Sequence, residues 1–145
     1  MTVVRLAGPD DFEAATALLE ELGRPAVSDR ETCQQIYMRG LADPEAAHLV
    51  AEDDEGQIVG FCSLHFRPRL NHTSPDAWVP DLIVTEAARS KKVGHALLSE
   101  AEKRARERGC HHLTLESAHF RKDAHRFYLD FGLTDDGLSF GKPLV

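Results

Sequence analysis

Residues 81–98 read DLIVTEAARSKKVGHALL, an apolar strand followed by a basic turn and the start of an apolar helical stripe. The turn places Arg89, Lys91 and Lys92 just ahead of Gly94. The first amides of a helix have no acceptor within the helix and carry partial positive charge, so basic side chains beside them favour an anion site. From the residues alone the turn is either a cradle for a phosphorylated ligand or a solvated surface turn.

Composition restricts the class of protein. With 145 residues, 42% of them hydrophobic, the chain is predicted to form a single domain over residues 1–145. A formal net charge of −7 argues against a general nucleic-acid binder. Three scattered cysteines, Cys33, Cys62 and Cys110, predict free thiols in the cytoplasm rather than a disulfide framework. The sequence shows neither a signal-peptide pattern nor a run of about 20 apolar residues, so we expect neither secretion nor membrane insertion.

Hydrophobic periodicity and turn residues predict the element order β-α-α-β-β-β-α-β-α-β in one mixed α+β domain. Asp10 and Glu13 have capping-box spacing at the first helix, which Gly23 and Pro25 end. The cluster 53–56 predicts a hairpin turn. The predicted segments are strand 3–7, helix 10–22, helix 29–42, strands 48–53, 58–66 and 78–84, helix 91–108, strand 111–117, helix 121–131 and strand 138–144.

The segment 81–98 resembles the signature of the GNAT superfamily, the acyl-CoA-dependent N-acyltransferases, in which an apolar strand leads into [QR]-x-x-G-x-[GA] and a helix. Arg89, Val93 and Gly94 match that pattern, and Lys92 stands where the family usually has glycine. The nucleotide-binding patterns GxxxxGK[ST] and GxGxxG are absent from the sequence.

A second resemblance lies near the carboxyl end, where residues 121–133 read RKDAHRFYLDFGL and are followed by TDDGLSFGKPL. This is similar to the GNAT segment A-x-x-F-Y-x-x-x-G-[FL] and the last strand that follows it. The matching residues are Ala124, Phe127, Tyr128, Gly132, Leu133, Lys142 and Leu144. Two motifs in the right order on the right elements are more specific than either motif alone.

The resemblance implies a GNAT fold, with a central, mixed but mostly antiparallel sheet of six to seven strands and about four helices. It also implies transfer of an acetyl group from acetyl-CoA to a primary amine of a small molecule or peptide, by direct attack in a ternary complex. Leu82, Ile83 and Val84 would contact the pantetheine arm, and a backbone amide near Ile83 would polarise the thioester carbonyl. The implied pyrophosphate contacts are Arg89, Ser90, Lys91, Lys92, Val93, Gly94 and His95.

Two side chains are predicted to move protons. Tyr128 matches the family's general acid toward the CoA sulfur, and a phenol with a pKa near 10 is protonated at neutral pH. The alternative is that Phe127 and Tyr128 are an aromatic pair that packs the helix. Asp81 lies on the face of its strand that carries Ile83, and it is either the base toward the amine or a structural acceptor. Glu116 and a water molecule are the other candidates for the base.

The remaining polar residues divide into a rejected metal site and a predicted substrate loop. Adjacent residues on a strand point to opposite faces, so His111 and His112 do not bind one ion together, and no metal is predicted. The amine is expected to meet the loop 67–77. The residues of that loop predicted to select the amine are Arg67, Arg69, Asn71, His72 and Asp76.

Two questions stay open at this stage. Lys92 in place of glycine and Pro80 in place of a carboxylate keep a non-catalytic acyl-CoA-binding sensor or regulatory module as the alternative function. The acceptor amine and the length of the acyl group are not specified by the sequence. A homodimer is expected by analogy with relatives, and no membrane partner is expected.

Overall fold

The computed structural model describes residues 1–23 and 29–145. Pro25, which was predicted to end the first helix, lies outside the described residues. Seven strands and four α-helices occur in the described ranges, as the mixed α+β prediction requires. Their bounds are β1 Val3–Leu6, α1 Phe12–Glu21, α2 Arg30–Ala42, β2 Leu49–Glu52, β3 Ile58–Cys62, β4 His65–Arg67, β5 Asp76–Trp78, β6 Leu82–Val84, α3 Val93–Glu107, β7 Leu113–Thr114 and α4 Lys122–Phe131.

The strands form two sheets. One sheet has four antiparallel strands in the order β1-β2-β3-β6. The other has the order β4-β5-β7, with β4 and β5 antiparallel and β5 and β7 parallel. The predicted fold class and the numbers of strands and helices are confirmed, but the strands are divided between two sheets.

The division falls inside two segments that were each predicted as one strand, 58–66 and 78–84. The amide of Ser63 donates to the carbonyl of Asp81 at 3.0 Å. In return, the amide of Asp81 donates to the Ser63 hydroxyl at 2.9 Å. A side chain thus takes the place of a ladder acceptor. Next to it, Pro80 has no amide to donate, so regular pairing stops and each segment passes from one sheet to the other.

Helices α1 and α3 cover opposite faces of the four-stranded sheet. Ala15 and Leu18 of α1 form a buried cluster that includes Phe61 and Ile83. Gly60, which precedes Phe61, lies on the opposite face of the sheet, where an added Cβ would be 2.8 Å from Leu97 of α3. Glycine at position 60 therefore lets α3 approach the sheet closely.

The predicted capping box at Asp10 and Glu13 is wrong, because a short 3₁₀ turn over Pro9–Asp11 precedes α1. Asp11, one residue later, accepts from the Gly8 amide at 2.7 Å and from Arg5 Nη1 at 2.7 Å. Asp11 is nearly buried, so the arginine is a better partner for its carboxylate than water would be. The predicted helix 29–42 is confirmed as α2, with the Asp29 carboxylate accepting from the Thr32 amide at 3.1 Å.

The chain divides into two compact units, Met1–Thr114 and Leu115–Val145. The second unit contains α4, which ends at Gly132 in a left-handed conformation with φ 118°. The predicted last strand 138–144 is wrong, since none of the described residues 133–145 lies in a strand. Local side-chain bonds occupy this segment instead, from Thr134 to Asp136 and from the Gly137 amide to Asp135.

The predicted strand 111–117 shrinks to β7, whose two residues Leu113 and Thr114 pair with Ala77 and Trp78. In the ranges 1–23 and 29–145, no helix combines the length and the apolar composition that a membrane crossing requires.

Candidate active site

Strand β6 lies at the edge of its sheet and exposes part of its backbone. The carbonyl of Asp81 accepts from Ser63, and the amide of Thr85 donates to Val59 at 2.9 Å, so both residues face β3. Antiparallel pairing alternates along a strand, so the backbone of Ile83 also faces β3, while that of Leu82 and Val84 faces the open side. Arg89 Nε reaches this side and donates to the Val84 carbonyl at 3.2 Å.

This alternation distinguishes among the residues predicted to meet the pantetheine arm. Ile83 has a buried side chain in the α1 cluster and a backbone that faces β3. The amide that would polarise a thioester is therefore better supplied by Leu82 or Val84, one residue to either side.

The basic turn leads into α3 through Lys92, whose φ of 60° and ψ of 25° are left-handed. Among the described residues, Lys92 is the single non-glycine residue with positive φ. Glycine adopts this conformation without steric cost, which explains in physical terms why the matching position of the GNAT pattern is glycine. The lysine retains the required backbone path, and its exposed side chain adds a positive charge.

The first turn of α3 is the predicted anion site. The amide of Ala96 makes the first intrahelical bond, to the Lys92 carbonyl at 3.1 Å. The amides of Val93 and Gly94 precede it at the N-terminus of α3, where amides have no acceptor within the same helix. The turn contains no acidic residue. The predicted pyrophosphate residues are thus contiguous around one helix N-terminus, although the side chains of Ser90 and Lys91 lie outside what the structure describes.

A residue from α1 fixes the entrance to this turn. The carboxylate of Glu21 accepts from the Thr85 hydroxyl at 2.8 Å and from the Glu86 amide at 2.9 Å. These bonds hold the pKa of Glu21 below its usual value, with the Thr85 hydroxyl contributing most. Glu21 was not found from the sequence, because 64 residues separate it from Thr85 and no local pattern links them.

Asp81 lies at the point where the two sheets separate. The hydroxyl of the buried Ser63 donates to Asp81 Oδ2 at 3.2 Å and accepts from the Asp81 amide. The half-buried carboxylate thus has a structural partner in Ser63. Both roles predicted for Asp81 are compatible with this geometry.

Two histidines missed by the sequence analysis lie near Asp81. The rings of His48 and His65 are 5.2 Å apart at their centroids, and His65 lies 5.8 Å from Trp78. Burial lowers the pKa of both histidines, and the opposing charges of Asp43 and Asp81 do not offset it. The sequence did place both histidines in segments predicted to be paired strands, His48 in 48–53 and His65 in 58–66.

The main charged side chains of the predicted substrate loop form ion pairs with one another. Arg67 donates to both oxygens of Asp76 at 2.9 and 3.0 Å, and Arg69 Nη1 donates to the same carboxylate at 3.0 Å. Burial of Asp76 opposes its ionisation, but the two arginines outweigh that and keep its pKa below the usual value. Arg67 and Asp76 also belong to β4 and β5, so they clamp two strands. His72 stacks on His111 with the rings 4.0 Å apart.

The other predicted proton-transfer residues belong to the second unit. Tyr128 is half-buried on α4, and its ring lies 5.5 Å from Phe127. Glu116 is exposed and lies two residues beyond β7.

The remaining candidates for chemistry are the cysteine thiols and groups of potential metal ligands. Burial raises the pKa of Cys62 to about 12, which makes it a poor nucleophile. Across the described part of the chain, no three histidine, cysteine or acidic side chains converge as metal ligands.

Comparisons with known proteins find relatives that match nearly the whole chain. The sequence model of the Acetyltransferase (GNAT) family matches residues 14–133. An uncharacterized N-acetyltransferase YhdJ of Bacillus subtilis is 42% identical over 97% of this chain and 96% of its own length. An aminoalkylphosphonate N-acetyltransferase of Salmonella typhimurium is 32% identical over 97% of this chain and 90% of its own length. A crystal structure of a transcriptional regulator from Bacillus halodurans has the same fold, with a TM-score of 0.89, 24% identity and coverage of 99% and 100% of the two chains.

Proposed function

The chain belongs to the GNAT acetyltransferase family, and on that premise we propose that it transfers an acetyl group from acetyl-CoA to a primary amine of a small molecule or peptide. The amine attacks the thioester directly while both substrates are bound. No covalent acyl-enzyme forms, which agrees with the raised pKa of the buried Cys62 thiol.

The observation that carries the proposal is the continuity of β6, the basic turn and α3. The open edge of β6 offers the backbone of Leu82 and the amide of Val84 to an extended amide-containing chain such as pantetheine, while the Val84 carbonyl accepts from Arg89. After β6, the chain contains the basic residues Arg89 and Lys92. Lys92 is left-handed and leads directly into the first amides of α3. A diphosphate matches those amides in charge and hydrogen bonding.

The reaction needs a neutral amine and a protonated leaving group. In the proposal, the Asp81 carboxylate attracts the substrate ammonium, and the amine that remains after proton loss attacks the thioester carbonyl. The carbon–nitrogen bond forms and the carbon–sulfur bond breaks. Tyr128 protonates the sulfur and recovers a proton that the nitrogen loses as it becomes an amide. Overall, one ammonium and one thioester give one amide, one thiol and one proton.

The relatives guide the choice of acceptor. The 32% identical relative acts on an aminoalkylphosphonate, according to its name, and it matches nearly the whole chain. Short aminoalkylphosphonates therefore head the amine panel, followed by aminoglycosides, polyamines and peptides with a free amino group.

We also propose a domain organisation, a location and an oligomeric state for the protein. The family match at residues 14–133 spans both compact units, which supports one functional domain over 1–145. Three free cysteines support a cytoplasmic location. A homodimer rests on analogy with relatives, and light scattering on the purified protein tests it.

Calorimetric titration of acetyl-CoA into the wild-type protein, Lys92→Gly and Lys92→Glu tests the cradle. We expect micromolar binding by the wild type and at least tenfold weaker binding by Lys92→Glu, because the substituted carboxylate repels the phosphates. Release of CoA thiol with the amine panel then tests catalysis, and Tyr128→Phe is expected to slow it. Binding without turnover would identify a sensor, and no binding by any of the three proteins would refute the proposal.

A further inference from the structure

His48 and His65 form a pair on the same face of the two sheets as Asp81. Val50 pairs with Phe61, and His48 lies two residues before Val50, so the His48 side chain shares the face of Phe61. The His48 and Phe61 rings are 6.0 Å apart at their centroids. His65 opens β4 opposite Trp78, whose ring is its neighbour. The pair thus borders the place where Asp81 emerges between the sheets.

Helix α2 holds His48 from the other side. An added Cβ at Gly40 would lie 2.7 Å from His48 Nε2, so the helix backbone lies directly against the imidazole. The other nitrogen, Nδ1, is buried and has no hydrogen-bond partner among the described residues. An unsatisfied buried nitrogen costs stability, so Nδ1 does not help to hold the ring, and it is available to exchange a proton.

The charged groups around the pair favour the uptake of one proton rather than two. Asp43 and Asp81 act electrostatically on both rings, Arg67 acts on His65, and both imidazoles are half-buried. Two imidazolium ions 5.2 Å apart repel each other, so the pair accepts one proton more readily than two. The carboxylates favour the first proton, and Arg67 opposes it on His65.

We propose that the His48–His65 pair receives the proton that the substrate ammonium must lose, while Asp81 holds that ammonium in place. This inference rests on the proposed acetyltransferase function and names the base that the sequence left open. The nitrogen–hydrogen bond of the ammonium breaks, one imidazole nitrogen of the pair gains the proton, and the neutral amine keeps the electron pair. After acyl transfer the pair returns its proton to solvent.

An imidazole suits this task better than an isolated carboxylate. Its ordinary pKa lies nearer to neutral pH, so it takes up a proton from an ammonium with a smaller energetic deficit. Burial lowers the pKa of both rings, which keeps the pair neutral and ready to accept at physiological pH.

The kinetic test is the pH dependence of kcat/KM for the wild type, His48→Gln and His65→Gln. We expect the wild-type value to fall toward acid pH as the pair becomes protonated. Each glutamine variant should lose about a hundredfold in kcat/KM near pH 7 and show an altered acid limb. His119→Gln is the control, because His119 is exposed and lies outside the pair. If His48→Gln and His65→Gln keep both the rate and the pH profile of the wild type, the inference is wrong.

A second measurement does not depend on turnover. NMR titration of the imidazole signals gives the pKa of His48 in the full chain. It should rise in His65→Gln, which removes a repelling neighbour, and fall in Asp81→Asn, which removes an attracting one. If neither substitution moves it, the pair is not an electrostatic unit and the inference fails even though acetyl-CoA binds. If the wild type binds no acetyl-CoA, the proposed function fails first and takes this inference with it.

Discussion

Helices α2 and α3 have similar lengths but are attached to the sheet in different ways. Helix α3 buries five residues, Val93, Leu97, Leu98, Ala101 and Ala105. Helix α2 buries none of its residues Arg30–Ala42, all of which the structure describes. It is held by individual contacts, such as the Tyr37 hydroxyl, which donates to the Gly8 carbonyl at 2.6 Å.

This difference matches the two predicted tasks of the molecule, binding of the cofactor at α3 and binding of the amine near α2. Apolar packing fixes α3, so the amides proposed to bind a constant cofactor stay in place. Polar and aromatic contacts fix α2, next to His48, where an acceptor amine is proposed to bind. Such contacts can be exchanged one at a time without opening a core, so the acceptor side is free to vary.

The largest effect is expected from Leu97→Ala on α3. Leu97 is fully buried, so its truncation should lower the free energy of unfolding by about 2–5 kcal/mol through lost burial and a cavity. Ile36→Ala on α2 is the matched control, since Ile36 is 58% exposed and its loss should change stability by less than about 0.5 kcal/mol. Urea denaturation measures both, and equal losses would contradict the contrast between the helices.

A pair of glycine substitutions should give a smaller difference in the same direction. A Cβ at Gly60 would meet Leu97 at 2.8 Å and the Ile83 carbonyl at 3.3 Å, so Gly60→Ala should cost about 1–3 kcal/mol. At Gly40 of α2 the Cβ would meet the His48 ring, but alanine also gains about 1 kcal/mol in a helix. We therefore expect a smaller net change for Gly40→Ala. A loss as large as that of Gly60→Ala would show that α2 is packed as rigidly as α3.

The same contrast explains which elements the sequence predicts. Helix α3 could be located because its apolar residues recur on one face, and α2 because its apolar residues Cys33, Ile36, Tyr37 and Leu41 suit a helix. The breaks in strands 58–66 and 78–84 could not be predicted, because they depend on a contact between Ser63 and Asp81, 18 residues apart. Across the first break, Cys62, Leu64 and Phe66 continue the alternation of apolar and polar residues and conceal the break.

The residues of the candidate site also differ in whether the sequence alone could predict them. The proposed cradle is contiguous in sequence, so the motif around Arg89 and Gly94, together with the second motif at 121–133, led to its prediction. Glu21, His48 and His65 come from separate elements, and only the folded sheets bring each of them to the site. A single sequence contains no local signal for such pairings.

Tyr37→Phe removes one polar contact between α2 and the preceding chain. The loss of the bond to the Gly8 carbonyl should cost about 1 kcal/mol, the usual net value of a hydrogen bond. Burial raises the pKa of Tyr37 to about 12, with a further contribution from Asp11, so the phenol donates throughout the neutral range. Urea denaturation at pH 6 and pH 9 should therefore give the same difference. A cost that disappears at pH 9 would mean that the phenol ionises and that the bond is not the one described.

The smallest effect is expected from Lys92→Gly, and it separates the backbone of the cradle from its charge. Glycine removes the strain of a left-handed lysine but adds freedom to the unfolded chain, so the net gain in stability should be no more than about 1 kcal/mol. Lys92→Ala keeps the strain and removes the ammonium, which makes it the matched control. If the charge of Lys92 matters, both variants should bind acetyl-CoA more weakly, and only the glycine variant should melt at a higher temperature. Tighter binding by Lys92→Gly would show instead that close approach of the backbone outweighs the lost charge, and that the lysine limits a cradle built for glycine.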